Sequence, residues 1–172
     1  MSPEFDPIAA LRVLHGEGVK FVVIGGYAGE LLGAPLMTND LDICYERSPD
    51  NLELLVKALS RMGAKLRVAK VEEELPFILD AHTLAAGDSF TFLTDLGNLD
   101  VLGTPSGTAG YGDLAARAHD LPVAEDLRVP VVVLADLMRM KRASARTKDR
   151  LQLEILSTLE EGIANAKRDD NA

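Results

Sequence analysis

Apolar residues in the amino-terminal third of the chain follow two spacings, one typical of helices and one typical of buried strands. The helical spacing predicts a helix that begins at Asp6 or Pro7 and is closed by Gly16 and Gly18, a second across Tyr27–Leu32, and a third that begins at Pro49 and is stopped by Gly63. Short continuous apolar runs predict strands at Phe21–Ile24 and Leu41–Tyr45. The alternation of the two element types indicates an α/β architecture.

The middle of the chain contains a predicted β-hairpin. Short β-type runs at Ser89–Leu93 and Leu99–Leu102 flank the polar, glycine-containing turn Thr94–Asn98, so Asp100 lies on the returning strand. The other elements predicted in this region are a strand at Lys65–Val71, an irregular connection at Glu72–Pro76, a loop at Thr104–Gly112, a helix at Asp113–Ala118 and a strand at Val129–Leu134.

The carboxyl-terminal part of the chain has a helical pattern. From Ala135 onward apolar residues recur at helical spacing, with a break near Thr147 and fraying beyond Lys167. We therefore expect the α/β (α+β) fold class, with a mixed β-sheet flanked by helices and followed by C-terminal helices. Residues 1–134 would form the core, and residues 135–168 a helical segment packed on it within a single compact domain.

The overall composition is that of an ordinary globular protein. The chain has 172 residues, of which 47% are hydrophobic and 26% charged. No apolar run approaches the ~20 residues needed to span a bilayer, and the amino terminus lacks a signal pattern. We therefore expect a cytoplasmic protein without a membrane partner. Cys44 is the one cysteine, and its place in an apolar strand predicts a buried thiol.

Charge is distributed unevenly along the chain. The net charge of −9 argues against a broad surface that coats nucleic acid. However, six of the eighteen Lys and Arg residues lie between Arg139 and Arg150. This segment can hold an anion although the protein as a whole repels one.

Three carboxylates are candidates for a metal site. Asp40 and Asp42 are two residues apart on a predicted strand, so their side chains point to the same side. Asp100 lies on a second strand that could be its neighbour. Carboxylate oxygens are preferred by Mg²⁺, of which two ions are expected, with Mn²⁺ as an alternative. In the competing interpretation, Asp40 caps a turn and Asp42 is an exposed strand residue.

Two other features suit a phosphorylated ligand. The backbone amides of Gly25 and Gly26, at the start of a helix, can bind phosphate, although a tight turn alone also explains the glycine pair. Lys141 and Lys148 are point charges suited to a triphosphate, and Arg146 could make a forked phosphate contact. These cations could equally lie on a solvated helix face, with Arg142 and Arg146 paired to acids.

The motifs together resemble a known family. The segments VVIGGYAGELLG, TNDLDICY, LGNLDVLGTPSG and LMRMKRASARTKDRLQLEIL are similar to those of small nucleotidyltransferases of the DNA polymerase beta superfamily. More narrowly, they resemble the AbiEii-type or MenT-type nucleotidyltransferases of bacterial toxin–antitoxin systems. The resemblance extends from about Val19 to Leu156.

This resemblance implies a role for each motif. The glycine motif would hold the nucleoside triphosphate at Gly25 and Gly26, and the acids would bind metal at Asp40, Asp42 and Asp100. The basic residues near the phosphates would be Lys141, Arg146 and Lys148. Many members of the superfamily carry serine after the first glycine, where this chain has Gly26. A side-chain hydroxyl contact to phosphate would therefore be missing here, and the contact would have to come from the backbone or from another residue.

Other nucleotide-binding and hydrolytic motifs are absent. The glycines do not match G-x-G-x-x-G or a P-loop, Ser106 is one position off a hydrolase elbow, and the three histidines lack metal-ligand spacing. We expect a metal-dependent nucleotidyltransferase that transfers a nucleoside monophosphate from an NTP to an acceptor hydroxyl on RNA, a tRNA end or a protein, with a small molecule such as an aminoglycoside as a further alternative. As a toxin it would have an antitoxin partner. The alternative is an inactive protein of this fold that binds a nucleotide or a partner chain.

Overall fold

The computed structural model describes residues 3–67 and 77–172. Its helices are α1 (Pro7–Gly16), α2 (Gly25–Leu31), α3 (Pro49–Arg61), α4 (Ala81–Ala86), α5 (Tyr111–Ala115), α6 (Leu134–Ser144) and α7 (Thr147–Asp170). Its strands are β1 (Phe21–Ile24), β2 (Asp40–Tyr45), β3 (Lys65–Leu66), β4 (Ser89–Thr94), β5 (Gly97–Leu102), β6 (His119–Ala124) and β7 (Leu127–Val131).

The strands form one seven-stranded mixed sheet in the order β3-β4-β5-β2-β1-β7-β6. At its centre, β2 pairs antiparallel with β1 and parallel with β5. The predicted fold class, a mixed sheet flanked by helices and followed by C-terminal helices, is confirmed. Because β2 and β5 run in parallel register, Asp42 lies directly opposite Asp100.

The central strands and the helices that cover them form the hydrophobic core. All four residues of β1 are buried, and α3 contributes Leu52, Leu55 and Leu59. Ser48 caps α3 by accepting a hydrogen bond from the Asn51 amide, which stabilises the first turn of the helix. The two C-terminal helices add Leu137, Met138 and Met140 from α6 and Leu156 from α7.

Several predicted boundaries differ from the structure. Helix α5 begins at Tyr111 and ends at Ala115, earlier than the predicted Asp113–Ala118. The apolar run predicted as a strand at Val129–Leu134 is divided, since β7 ends at Val131 and α6 begins at Leu134. The break near Thr147 is confirmed, but α7 continues to Asp170 instead of fraying after Lys167.

Two elements were not predicted. Helix α4 has only six residues and depends on Asp80, whose carboxylate accepts a hydrogen bond from the Thr83 amide. Strand β6 is an edge strand with an irregular register between Pro122 and Ala124, and proline in an apolar run argues against a strand except at an edge.

The region after β3 is described only in part. The predicted strand at Lys65–Val71 is observed over Lys65–Leu66, and its remainder from residue 68 onward, like the predicted connection at Glu72–Pro76, lies outside the described residues. Within residues 3–67 and 77–172, none of the helices combines the length and the apolar character that a bilayer crossing requires.

Candidate active site

A cleft with a volume of about 450 Å³ opens where the ends of the central strands meet the two C-terminal helices. All of the predicted site residues line this cleft: Gly25, Gly26, Asp40, Asp42, Asp100, Lys141, Arg146 and Lys148. The structure therefore brings together residues that are up to 123 positions apart in the chain, from Gly25 to Lys148. Their chemical roles remain predictions.

Asp42 and Asp100 form a carboxylate pair on neighbouring strands. They face each other in the register of β2 and β5, and their side chains lie within hydrogen-bonding reach. Burial, and then the charge of Asp100, raise the pKa of Asp42 above its ordinary range. Burial also raises the pKa of Asp100, against the opposing effect of Arg67. Burial and mutual repulsion both disfavour the state in which the two carboxylates are ionised, and a bound cation would relieve that repulsion.

Asp40 lines the same cleft, but its carboxylate contacts a different neighbour from those of Asp42 and Asp100. Its carboxylate accepts a hydrogen bond of 3.0 Å from the Asn98 side-chain amide, because Asp40 lies opposite Asn98 in the strand register. On the other side of the pair, Arg67 Nη2 lies 3.6 Å from Asp100 Oδ1. The three acids therefore share a cleft, while two of them have separate neighbours.

The acidic side chains of the cleft are of the type that a hard divalent cation binds, but they are not arranged as a compact metal site. Among the described residues, no three His, Cys, Asp or Glu side chains are grouped closely enough to hold a metal ion. Asp40 accepts a hydrogen bond from Asn98, and the binding of one metal site by Asp40, Asp42 and Asp100 together stays a prediction. However, Asp100 Oδ1 is buried and has no hydrogen-bond partner in the described part of the chain, although it forms the ion pair with Arg67 at 3.6 Å. A set of carboxylates that is not fully hydrogen-bonded is the donor type that Mg²⁺ takes.

The glycine turn is shaped by its close approach to Asp42. Gly25 has a φ of 71°, a left-handed conformation that residues with a Cβ rarely adopt. A Cβ at this position would overlap the Asp42 carboxylate. The first glycine therefore allows the acid to lie against the backbone at the start of α2.

Thr38 occupies the space beside the second glycine. A Cβ on Gly26 would lie 3.1 Å from Thr38 Cβ and 3.3 Å from its hydroxyl oxygen. Thr38 also lines the cleft, and its hydroxyl accepts a hydrogen bond of 3.3 Å from the Asp40 amide. The Thr38 hydroxyl thus lies beside Gly26, the position at which the family resemblance leads us to expect a serine, and the sequence alone did not reveal this proximity.

The basic residues of the cleft are organised by Asp149, whose side chain is only 1% exposed. Its carboxylate accepts hydrogen bonds from Lys141 Nζ at 3.1 Å, Ser144 Oγ at 2.6 Å and Arg146 Nε at 2.8 Å. The alternative interpretation, in which Arg146 is paired with an acid, is correct for this contact. Lys148 lines the cleft and makes no ion pair within the described ranges.

Hydrogen bonds also set the charge state of Asp149. Burial alone would raise its pKa, but hydrogen bonds from Arg146, Ser144 and Lys141 outweigh burial and hold the pKa well below its usual range. Asp149 is therefore a buried, ionised anchor that holds Lys141 at the cleft.

Gln152 is a further lining residue that was not predicted. It lies one turn after Asp149 on α7, and its residue is 7% exposed. Its Oε1 atom is buried and has no hydrogen-bond partner among the residues described. Buried amides are normally paired, so the Gln152 side chain is suited to a polar group of a bound ligand.

Comparisons with solved structures identify the class of fold. The lincosamide antibiotic adenylyltransferase LnuA, solved with lincomycin bound, matches with a TM-score of 0.59 at 13% identity, over 89% of this chain and 95% of that one. TM1012, a candidate nucleotidyltransferase from Thermotoga maritima, matches with a TM-score of 0.50 at 14% identity, over 99% and 98% of the two chains. No protein-family model and no curated protein matches the sequence.

The chain therefore has the nucleotidyltransferase fold. At these identities the likeness concerns the fold alone, and the narrower resemblance to AbiEii-type or MenT-type proteins stays a prediction.

Proposed function

We propose that this protein is a metal-dependent nucleotidyltransferase that transfers a nucleoside monophosphate from an NTP to an acceptor hydroxyl. The observation that carries the proposal is one cleft in which the Asp42–Asp100 carboxylate pair faces the cations anchored by Asp149. Acids suited to a metal and bases suited to a triphosphate lie within a volume of about 450 Å³. The fold of the structural neighbours supports the same class of reaction.

In the proposed reaction, the acceptor hydroxyl oxygen forms a bond to the α-phosphorus of the NTP. The bond between that phosphorus and the oxygen bridging to the β-phosphate breaks, and pyrophosphate leaves with the bonding electrons. The hydroxyl proton goes to a base, for which Asp100 is positioned at the cleft wall.

Asp40, Asp42 and Asp100 would hold the metal, as Mg²⁺ or alternatively Mn²⁺. When bound, such ions supply charge stabilisation for phosphoryl oxygens and lower the pKa of a bound hydroxyl or water. The chain's own contribution is to keep two carboxylates together on rigid neighbouring strands.

Lys141, Arg146 and Lys148 would bind the phosphates of the NTP, together with the backbone amides of Gly25 and Gly26. Lys141 is only 11% exposed, so its ammonium group is already partly desolvated and directed by Asp149. A positioned cation loses little conformational freedom when the nucleotide binds.

The identity of the acceptor molecule is a more specific part of the proposal. The resemblance to toxin nucleotidyltransferases favours an RNA or tRNA end or a protein side chain, with an antitoxin as neutralising partner. LnuA bears the name of an antibiotic adenylyltransferase, which supports the third class of acceptor, a small molecule. The net charge of −9 gives an RNA acceptor no independent support.

Incubation with each labelled NTP, Mg²⁺ or Mn²⁺ and separate RNA, protein and small-molecule fractions tests the proposal. We expect label to enter one fraction only when metal is present, and the joint variant Asp40→Asn/Asp42→Asn to abolish it. Asp120→Asn, on an exposed edge-strand position, is the matched control. Nucleotide binding without transfer, across all four NTPs and all fractions, would instead support the binding-module alternative.

A further inference from the structure

Helix α7 carries an apolar stripe away from the cleft. Ile155, Leu159, Gly162, Ile163 and Ala166 follow the helical spacing and, with Pro35 and Thr158, line an open groove of about 500 Å³. We refer to these five helix residues as the α7 stripe. Ile163 is 40% exposed although it is a large aliphatic residue.

Within the described residues, the chain covers only the first part of the α7 stripe, where Ile155 and Leu159 pack partly against the core. The last residue of α7 that is buried in the core is Leu156, and every residue of α7 from 161 to 170 is exposed. Most helices in globular proteins are stabilised by packing their apolar face. The second half of α7 presents such a face without a covering element in the described part of the chain.

Gly162 lies in the middle of the stripe, and no contact among the described residues requires a glycine there. Glycine is among the least favourable residues in a helix interior, and nothing lies within 4 Å of a Cβ added at this position. Its backbone φ is also not positive. A glycine in a helix surface does allow another helix to approach closely, because no side chain separates the two backbones.

Charges beside the stripe define what kind of helix fits it. Glu160 and Lys167 are seven residues apart, about two turns, so they lie on the same edge of the stripe. Neither side chain makes an ion pair within residues 3–67 and 77–172. In two antiparallel helices related by a two-fold axis, the same edges face each other, so an acid and a base on one edge can pair across the interface.

One antiparallel register satisfies the apolar and charged positions together. In an antiparallel pair, each step forward along one helix is a step backward along the other, so residues that face each other have a constant sum of residue numbers. When Gly162 lies opposite Ile163 of a second copy, Leu159 therefore lies opposite Ala166 of that copy. In each of these pairs, a small residue on one helix packs against a large residue on the other. In the same register, Glu160 comes beside Lys167 of the second copy, and the two-fold axis repeats that contact.

We propose that the protein forms a homodimer in which the α7 stripes of two copies pack antiparallel. The occupant of the groove is the α7 helix of the second copy. The interface combines an apolar centre, a glycine that permits close approach, and two symmetric Glu160–Lys167 ion pairs.

The first experiment measures the mass of the full chain in solution by sedimentation over a concentration series. We expect a dimer for the parent and a monomer for Ile163→Asp, because the charge would be buried at the centre of the interface. Ile163 is exposed in the single chain, so circular dichroism should be unchanged. If the parent is monomeric at all concentrations, the proposal is wrong, and the partner of the groove would have to be a different protein.

The second experiment exchanges charges. Glu160→Lys should weaken dimerisation about tenfold by replacing two attractive contacts with two repulsive ones, and adding Lys167→Glu should restore it. The neighbouring residues supply matched controls, since Glu161 and Arg168 point away from the stripe. Glu161→Lys should leave the dimer intact, and Arg168→Glu should not rescue Glu160→Lys. A dimer that is insensitive to Glu160→Lys, or rescued equally by Arg168→Glu, would contradict this register.

Gly162→Ala separates an interface role from a structural one. Alanine favours the helix more than glycine does, so the melting temperature of the monomeric Ile163→Asp background should rise. In the parent background the same substitution should weaken dimerisation, because the added methyl group separates the helices. An unchanged dimer in Gly162→Ala would show that close approach at this position is not required, and would overturn the proposed packing.

Discussion

Gly25 and Asp42 are in such close contact that the carboxylate of Asp42 fills the space of the missing Gly25 side chain. The contact joins the first residue of α2 to the acid at the centre of the sheet. Because Gly25 also has a φ of 71°, two separate constraints require glycine here. The position of the proposed metal-binding acid therefore depends on the backbone of the glycine turn.

Gly25→Ala should destabilise the protein and displace Asp42. The positive φ alone costs about 1–2 kcal/mol for alanine, and the overlap with the carboxylate adds to this. Gly33→Ala is the matched control, since Gly33 has a φ of 98° but nothing within 4 Å of an added Cβ. Denaturant melts should show a larger loss for Gly25→Ala. Equal losses for both variants would mean that the Asp42 contact contributes nothing.

Asp42→Asn should stabilise the protein without metal and abolish its response to metal. Neutralising one member of the buried carboxylate pair removes repulsion, which we expect to be worth on the order of 1 kcal/mol. The parent should gain melting temperature with Mg²⁺ or Mn²⁺, because a ligand that binds only the native state stabilises it. Thermal melts with chelator or metal test this, with Asp120→Asn as the control. A metal response that survives in Asp42→Asn would contradict the proposed site.

The acid pair illustrates what sequence patterning can establish. The spacing of Asp40 and Asp42 on a strand fixes their common side, and the hairpin turn places Asp100 on a returning strand. Both predictions are confirmed by β2 and β5. That these strands are neighbours, with Asp42 opposite Asp100, follows from the sheet order, which periodicity does not determine. The sequence therefore predicts the residues of the cleft better than their contacts.

Asp149 is a residue of the cleft that the sequence did not predict. In the sequence it is one acid among many beside a basic segment, and a charged residue is almost never fully buried unless it is paired. Its burial results from three donors, Lys141, Ser144 and Arg146, which the turn between α6 and α7 brings together. Local spacing indicates a helix break near Thr147 but not which side chains converge there.

Asp149→Asn should destabilise the protein by about 3 kcal/mol at neutral pH, because it leaves the half-buried Lys141 ammonium without its counter-ion. The folded-state pKa of Asp149 is lowered, below an unfolded value of about 4. Its ionised form therefore stabilises the fold above about pH 4, and the stabilisation is lost as the pH falls through the folded-state value. The difference between parent and variant should shrink in acid.

Denaturant melts from neutral to acidic pH measure this difference. The exposed Asp169, on the same helix, provides the control variant Asp169→Asn, which should follow the parent at every pH. A gap between parent and Asp149→Asn that stays constant into strong acid would show that the carboxylate charge is not what stabilises this turn.

Thr38→Val should lower kcat/KM for nucleotidyl transfer about tenfold or more, if the Thr38 hydroxyl contacts phosphate in place of a serine at position 26. Thr38→Ser should retain activity. Gly26→Ser alone crowds Thr38, whose Cβ would lie 3.1 Å from the new Cβ. The double variant Gly26→Ser/Thr38→Gly removes that Cβ and supplies a hydroxyl from position 26 instead. Full activity in Thr38→Val would exclude this role for the hydroxyl.

Gln152→Met should have opposite effects on stability and on nucleotide binding. The buried Oε1 atom of Gln152 has no partner in the described residues, and replacing an unsatisfied polar group by an apolar one of similar size should stabilise the free protein by about 1 kcal/mol. If the amide pairs with a polar group of the bound NTP, the variant should bind nucleotide about tenfold more weakly.

Thermal melts measure the effect of Gln152→Met on stability, and titration with a fluorescent nucleotide measures its effect on binding. Glu154→Met, at an exposed position of the same helix, is the control. A lower melting temperature with unchanged binding would show that Gln152 is structural, whereas a parent that binds no nucleotide would count against the proposed function itself.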